Sequence, residues 1–174
     1  AAHVVRQFTY PADSNAGVRL STHDRATVDG PAALATASTG TATAVAVASS
    51  GTVQVLSPKP QTVNFTPPSG IDRILPATSA GSRFAFLMHG TEGWSLLSVD
   101  AVGSHLRAPS RLAGLPADPM AQPAYSLGAL YTLDQQTGVT YRIGMDGDVT
   151  AVAAYPIAKV NGVDAEPLSM SDGY

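Results

Sequence analysis

Short apolar runs separated by polar turns that contain glycine dominate this chain, and residues 127–153 show the pattern most clearly. Residues 129–133 form an apolar run that predicts a strand. The polar residues 134–138 end at a glycine, which predicts a tight connection because glycine adopts positive φ without steric cost. Residues 139–143 alternate between apolar and polar side chains, the period of a half-buried strand. Residues 149–153 predict a further strand, so the stretch is a β-meander.

The same arrangement recurs along the chain, and glycines mark its period. One set of glycines follows the first strand of each unit, and a second set separates the second strand from the third. The first set is Gly40, Gly81, Gly128 and Gly173, with steps of 41, 47 and 45 residues, and the second set is Gly51, Gly93 and Gly138, with steps of 42 and 45. A period near 40–45 residues with about four short strands per unit is typical of β-propeller blades.

The sequence therefore predicts an all-β fold. It predicts a β-propeller of four-stranded antiparallel blades, of which this chain covers about three to four in an incomplete ring. Residues 31–174 are interpreted as blades that break off at the start of a further one, at 165–174. An all-β sandwich whose turns happen to be evenly spaced is the alternative, since a chain with 16 glycines makes such spacing easier.

Residues 1–30 are less regular and are interpreted as an irregular N-terminal segment or as part of a first blade. Strands are predicted at 3–10 and 18–21. The loop composition of 11–17 separates them, and a turn is predicted at 27–30.

A family resemblance rests on the segment LYTLDQQTGVTYRIGMDGDVTAVA, residues 130–153. It resembles blades of the broad propeller group that includes NHL-repeat, quinoprotein-like and sugar-lactonase-like proteins. The likeness covers about three copies and carries no motif that selects one of these families. The resemblance implies the fold and leaves the activity open, because propellers serve as binding scaffolds, lactonases and dehydrogenases alike.

Composition narrows the functional classes. The formal net charge is -3, and Lys59 and Lys159 are the only lysines. A nucleic-acid surface needs clustered Lys and Arg, so nucleic acid is not expected as a partner. No apolar run reaches the ~18 residues that a membrane span needs. The absence of cysteine removes thiolate chemistry. Eight arginines against two lysines, with abundant alanine, indicate a GC-rich and therefore bacterial genome. The protein is expected to be extracytoplasmic or secreted, with a cytoplasmic location as the alternative.

The candidate site residues lie in loops that join the second and third strands of two units. His89 and Glu92 lie in one loop, where His89 is placed as a ligand contact or general base with Glu92 beside it. Asp134, Gln135 and Gln136 occupy the equivalent loop of the next unit. The alternative is that all five are ordinary polar loop residues. No metal-ligand spacing or nucleophile motif occurs, so no catalytic residue, metal or cofactor is expected.

The predicted function is a non-catalytic binding or scaffold module for a peptide, glycan or protein at the loop face, as in protein–protein interaction. The alternative is a lactonase- or hydrolase-like propeller enzyme with a metal in the central channel. That chemistry needs several inward acidic side chains, and the chain has two glutamates, Glu92 and Glu166. The remaining blades are expected from the same gene product, a companion chain or an oligomer, because an open arc exposes blade faces.

Overall fold

The computed structural model describes residues 2–9, 21–38, 40, 42–57, 59–77, 81–102, 105–117, 120–154, 159–160 and 163–164, and these residues contain strands and no helix. A hairpin of β1 (Ala2–Thr9) and β2 (Ser21–Asp29) precedes three four-stranded sheets. Sheet 1 comprises β3 (Ala33–Ser38), β4 (Thr43–Ser49), β5 (Thr52–Ser57) and β6 (Gln61–Asn64). Sheet 2 comprises β7 (Arg73–Pro76), β8 (Arg83–Gly90), β9 (Gly93–Asp100) and β10 (Leu106–Arg111). Sheet 3 comprises β11 (Ala124–Ser126), β12 (Ala129–Leu133), β13 (Val139–Gly144) and β14 (Val149–Ala154), and β15 (Lys159–Val160) pairs with β16 (Val163–Asp164). No helix long and apolar enough to cross a bilayer occurs in the described part of the chain.

Each of the three sheets is an antiparallel meander in which sequential strands are neighbours. This confirms the all-β class and the prediction of repeated four-stranded units. The described glycines that mark the period all take positive φ: 84° at Gly40, 60° at Gly81, 79° at Gly128, 103° at Gly51, 95° at Gly93 and 73° at Gly138. The periodicity therefore reflects a conformational requirement of the turns, because side chains with a Cβ atom disfavour this region.

The prediction for residues 21–30 was wrong in detail. A turn was predicted at 27–30, whereas β2 continues to Asp29 and pairs with β1. Of the strand predicted at 18–21, only Ser21 lies within the described residues, and it belongs to β2. Burial explains the longer strand, because Ala26 and Val28 alternate with exposed residues and pack against Val47 of sheet 1. The predicted loop at 11–17 and the predicted start of a further unit at 165–174 lie outside the described residues.

Sheets 1 and 2 pack face to face. Sheet 1 presents small residues, among them Ala35, Ala44 and Ala46, and sheet 2 presents large ones, among them Phe84 and Phe86. All five are almost completely buried. Small side chains on one face leave room for phenylalanine on the other, so the two faces pack closely against each other.

Sheet 3 covers the other face of sheet 2. Leu87, Trp94 and Leu96 alternate in direction with the residues that face sheet 1, and they pack against Leu130 and Ile143 of sheet 3. Sheet 2 is therefore buried on both faces, which explains why β8 and β9 are nearly continuous apolar runs.

The connections lie at two ends of this stack. The β4–β5, β8–β9 and β12–β13 turns and the segments that link one sheet to the next share one end, which we call the connection end. The remaining turns within the sheets lie at the opposite end. There the Ser38 amide donates to the Gly81 carbonyl at 2.8 Å and joins sheets 1 and 2.

Candidate functional site

The link between sheets 1 and 2, residues 65–72, is held in place by hydrogen bonds at the connection end. The Phe65 amide donates to the Gly51 carbonyl at 2.9 Å. The Ser69 carbonyl accepts the Thr91 amide at 2.9 Å and the Thr91 hydroxyl at 3.2 Å. The link is thus fixed to the turn of each sheet, which gives this surface a defined shape.

A glycine lets this link approach the β8–β9 turn closely. A Cβ atom added at Gly90 would lie 2.5 Å from the Ser69 carbonyl oxygen and 3.3 Å from the Pro68 Cβ. Gly90 has no positive φ, so the need for glycine here is steric.

Beside this link lies a cavity of about 280 Å³, which we call the connection groove. Its lining comprises residues 66–69 of the link, residues 92–93 and Ser95 of the β8–β9 hairpin, and Pro109 and Arg111 of β10. The walls therefore come from three separate segments brought together by the packing of sheet 2 against sheet 1.

The connection groove carries one charge of each sign. Glu92 and Arg111 are both exposed, and neither forms an ion pair with another residue in the described ranges. Three of the other lining residues, Pro67, Pro68 and Pro109, present apolar rings and no amide donor. The arrangement suits a ligand that has an apolar body and two opposite charges.

Both His89 and Glu92 were predicted in the β8–β9 loop, but His89 lies in β8, where it pairs with Trp94 of β9, and only Glu92 lies in the turn. Glu92 lines the connection groove, whereas the lining does not include His89. The His89 Nδ1 atom lies 2.7 Å from Asp72 Oδ1, and the His89 ring lies 4.9 Å from the Trp94 ring between centroids. The His89 side chain is 20% exposed and that of Asp72 is 64% exposed.

Asp72 is a hydrogen-bond partner of His89 that sequence reasoning missed. It lies 17 residues before His89, and the pairing of Arg73 with His89 across β7 and β8 brings it close. Only a correct register for these two strands could have indicated the contact. A carboxylate that accepts a hydrogen bond from one imidazole nitrogen leaves the other nitrogen as the proton acceptor.

The three residues predicted in the next loop, Asp134, Gln135 and Gln136, differ in their burial. Asp134 is 1% exposed, and its carboxylate accepts hydrogen bonds from the Gln136 amide at 2.8 Å and from the Thr137 amide and hydroxyl. It therefore organises its own turn. Gln135 is half-buried and Gln136 is exposed. The role of these three residues in ligand binding stays a prediction.

A second cavity, of about 600 Å³, lies at the opposite end between sheets 1 and 2. Its lining includes Ser38, Gly81 and Asp100. The polar groups here are already engaged, since Ser38 and Gly81 bond each other and the Asp100 carboxylate accepts the amide and the Nδ1 atom of His105, at 3.1 and 3.0 Å. The connection groove is the better candidate site because its charges have no such partners among the described residues.

Away from both cavities, one exposed ion pair joins the two strands of the N-terminal hairpin. The Arg6 Nε atom donates to Asp24 Oδ1 at 2.6 Å. This hydrogen bond, with the charge of Arg6, lowers the pKa of the Asp24 carboxyl below its ordinary value.

Within the described residues, no group of three or more His, Asp or Glu side chains is placed to hold a metal ion. Comparisons of the chain with protein-family models, with curated proteins and with solved structures returned no match.

Proposed function

We propose that the chain is a non-catalytic binding module made of consecutive β-propeller blades, with its ligand in the connection groove. Support for the propeller comes from three successive four-stranded meanders that stack face to face in chain order. They begin at residues 33, 73 and 124, with steps of 40 and 51 residues, which is near the size of a propeller blade.

One observation carries the binding role. Glu92 and Arg111 line the same groove beside a hydrogen-bonded link, and both lack an ion-pair partner among the described residues. Loops held by a rigid scaffold are where binding residues concentrate. A ligand can therefore pair with these two charges without breaking an ion pair that already exists in the protein.

The proposal includes further blades against the outer faces of sheets 1 and 3, from the same gene product, a companion chain or an oligomer. Leu34 on the outer face of sheet 1 is 47% exposed, although β1 and β2 cover part of that face. Exposed apolar surface of this kind marks an interaction site when it is contiguous. The proposal also places the module outside the cytoplasm of a bacterium.

The test is to pan a random heptapeptide library on the immobilised full chain and to titrate enriched peptides into the ¹⁵N-labelled protein. We expect amide shifts at residues 66–69, 91–95 and 110–111. The proposal fails if panning enriches nothing, or if the shifts are confined to Ser38, Gly40 and Gly81 at the opposite end.

A lactonase- or hydrolase-like enzyme is the second candidate, and the hydrogen bond between His89 and Asp72 is the observation that favours it. A carboxylate that orients an imidazole is the usual support for a general base. The test is to assay a panel of lactones and esters with and without added divalent metal. Turnover that His89→Gln abolishes, with the unfolding midpoint unchanged, would favour this function over the binding module.

A further inference from the structure

A slot with apolar walls lies between the N-terminal hairpin and the outer face of sheet 1. It consists of two adjoining cavities of about 210 Å³ each, which share Val5 of β1 and Leu34 of β3, and which we together call the hairpin slot. Leu34 is 47% exposed, so the slot opens to solvent. The rest of its apolar lining comes from both walls and comprises Val28, Ala32, Ala33, Val45, Val47 and Leu56.

The charged side chains that line the slot include two arginines and, among the described residues, no carboxylate. Arg6 and Arg25 both line the same one of the two cavities. The charge of Arg6 is balanced by Asp24 at 2.6 Å, whereas Arg25 forms no ion pair within the described ranges. The Arg25 Nε atom donates to Gln7 Oε1 at 2.7 Å, which leaves the two terminal amino groups of the guanidinium as donors for an anion.

Two β-bulges shape this end of the slot. The β1–β2 pairing shifts register between Val5 and Arg6, so Arg25 is an extra residue without a cross-strand partner. Strict alternation with the buried Ala26 would turn Arg25 away from sheet 1, yet it lines the slot. A second bulge, at Leu56 of β5, lies in the facing wall. Bulges bend a strand and redirect its side chains, and here they bring a cation to an apolar surface.

We propose that the hairpin slot binds a free aliphatic carboxylic acid, with its carboxylate on Arg25 and its hydrocarbon tail against Leu34 and Leu56. A guanidinium binds a carboxylate through two parallel hydrogen bonds, and an alkyl chain gains free energy when it leaves water for apolar walls. The inference goes beyond the proposed function, because the slot shares no residue with the connection groove. The slot is bounded by the hairpin, whereas a further blade would seat on the part of sheet 1 that the hairpin leaves uncovered.

A peptide with a free C-terminal carboxylate is the competing ligand, and the lining disfavours it. Apart from His3, the polar side chains of the slot all belong to the cavity that holds Arg25. A peptide would bring amide and carbonyl groups against the apolar walls of the other cavity, where they lose hydrogen bonds to water. An alkyl chain has no such groups and avoids this cost.

The experiment titrates hexanoate, octanoate and decanoate into the ¹⁵N-labelled full chain. Each pair of added methylenes should tighten binding about fifteenfold, because each buried methylene contributes about fourfold. A peptide ending in Leu-Leu with a free C-terminal carboxylate should bind more weakly than octanoate. We expect amide shifts at residues 5–7, 25–28, 33–34, 45–47 and 56–57.

Two variants separate the head of the ligand from its tail. Arg25→Gln should weaken octanoate binding about twofold to fivefold and leave 1-octanol binding unchanged, because only the carboxylate pairs with the guanidinium. Leu34→Gln should weaken the binding of both ligands about fourfold, the contribution of one buried methylene. The matched control is Arg111→Gln, which makes the same charge change at an exposed position outside the slot and should leave both affinities unchanged. The urea unfolding midpoint of each variant shows whether it is folded.

Several results would overturn the inference. An affinity that does not rise with chain length contradicts the apolar slot, and an Arg25→Gln protein with wild-type affinity for octanoate contradicts the role of the guanidinium. Amide shifts confined to residues outside the slot, or no shifts with any of the three acids, contradict the site itself. A Leu-Leu peptide that binds in the slot more tightly than octanoate would show that the ligand is a peptide C-terminus.

Discussion

Replacing Gly90 with alanine tests whether the link between sheets 1 and 2 is held as the structure indicates. The new Cβ atom would meet the Ser69 carbonyl oxygen at 2.5 Å. Carbon atoms approach carbonyl oxygens to about 3.3 Å, so the link must move by about 0.8 Å. That movement lengthens both hydrogen bonds from Thr91 to the Ser69 carbonyl, which are 2.9 and 3.2 Å long, past the length of a useful bond.

The energetic consequence of Gly90→Ala is the balance of two effects. Loss of two hydrogen bonds costs about 0.5–1.5 kcal/mol each. Alanine in a strand is favoured over glycine by about 0.5–1 kcal/mol, because the unfolded chain has less freedom to lose. The net expectation is a loss of about 1–2 kcal/mol in the free energy of unfolding, together with a wider connection groove.

Urea unfolding measures the change in the free energy of unfolding. Hydrogen exchange at the Thr91 amide shows whether its hydrogen bond to the Ser69 carbonyl is lost. Thr91→Ala is the control, because it removes the hydroxyl bond to Ser69 and keeps the amide bond and the position of the link. It should cost about 1 kcal/mol and leave the Thr91 amide protected. A Gly90→Ala protein that is as stable as wild type, with the Thr91 amide still protected, would refute the close approach of the link.

Three further predictions concern other parts of the molecule. Leu127 is 93% exposed and has a φ of 47°, so Leu127→Asn should raise the free energy of unfolding by about 1 kcal/mol in urea, because asparagine tolerates this conformation and no packing is lost. Leu87→Ala should cost about 2–5 kcal/mol, since its side chain is 0% exposed between sheets 2 and 3, whereas Leu34→Ala, at 47% exposure, should cost much less. Because Arg6 lowers the pKa of Asp24, the ion pair stabilises the fold at pH values above the ordinary aspartate pKa, and this contribution disappears as the pH falls through the lowered one. An NMR titration should show the Asp24 carboxyl titrating at lower pH in wild type than in Arg6→Ala, and equal titrations would contradict the pair.

The strands of the three sheets could be predicted from the sequence because two independent signals coincide there. Apolar alternation indicates where a strand runs, and a glycine that needs positive φ indicates where it turns. In β13 the predicted strand 139–143 agrees with Val139–Gly144 as observed. In β2 the alternation at Ala26 and Val28 indicates a strand, but the turn composition of Asp29-Gly30 beside it predicts a turn from residue 27, and the strand in fact continues to Asp29.

The surroundings of the candidate site could be predicted only in part. Glu92 could be predicted because a residue beside the glycine of a tight turn is normally exposed to solvent. The contact of His89 with Asp72, and the position of Arg111 in the same groove as Glu92, depend on which residues face each other across strands. A shift of one residue in register would turn these side chains to the other face, and composition carries no information on that choice.

The connection groove and the proposed propeller arrangement depend on different parts of the structure. Every wall of the groove comes from sheet 2 or from the link to sheet 1. Sheet 2 has a hydrophobic cluster against each of its faces, so these walls stand on the part of the chain that is packed from both sides. Tyr131 and Leu133, which alternate with Leu130 and so point away from sheet 2, are only half-buried, and neither lines the groove. Anything that covered the outer faces of sheets 1 and 3 would therefore change the stability of the stack more than the shape of the groove, and peptide binding can be tested independently of the proposed propeller ring.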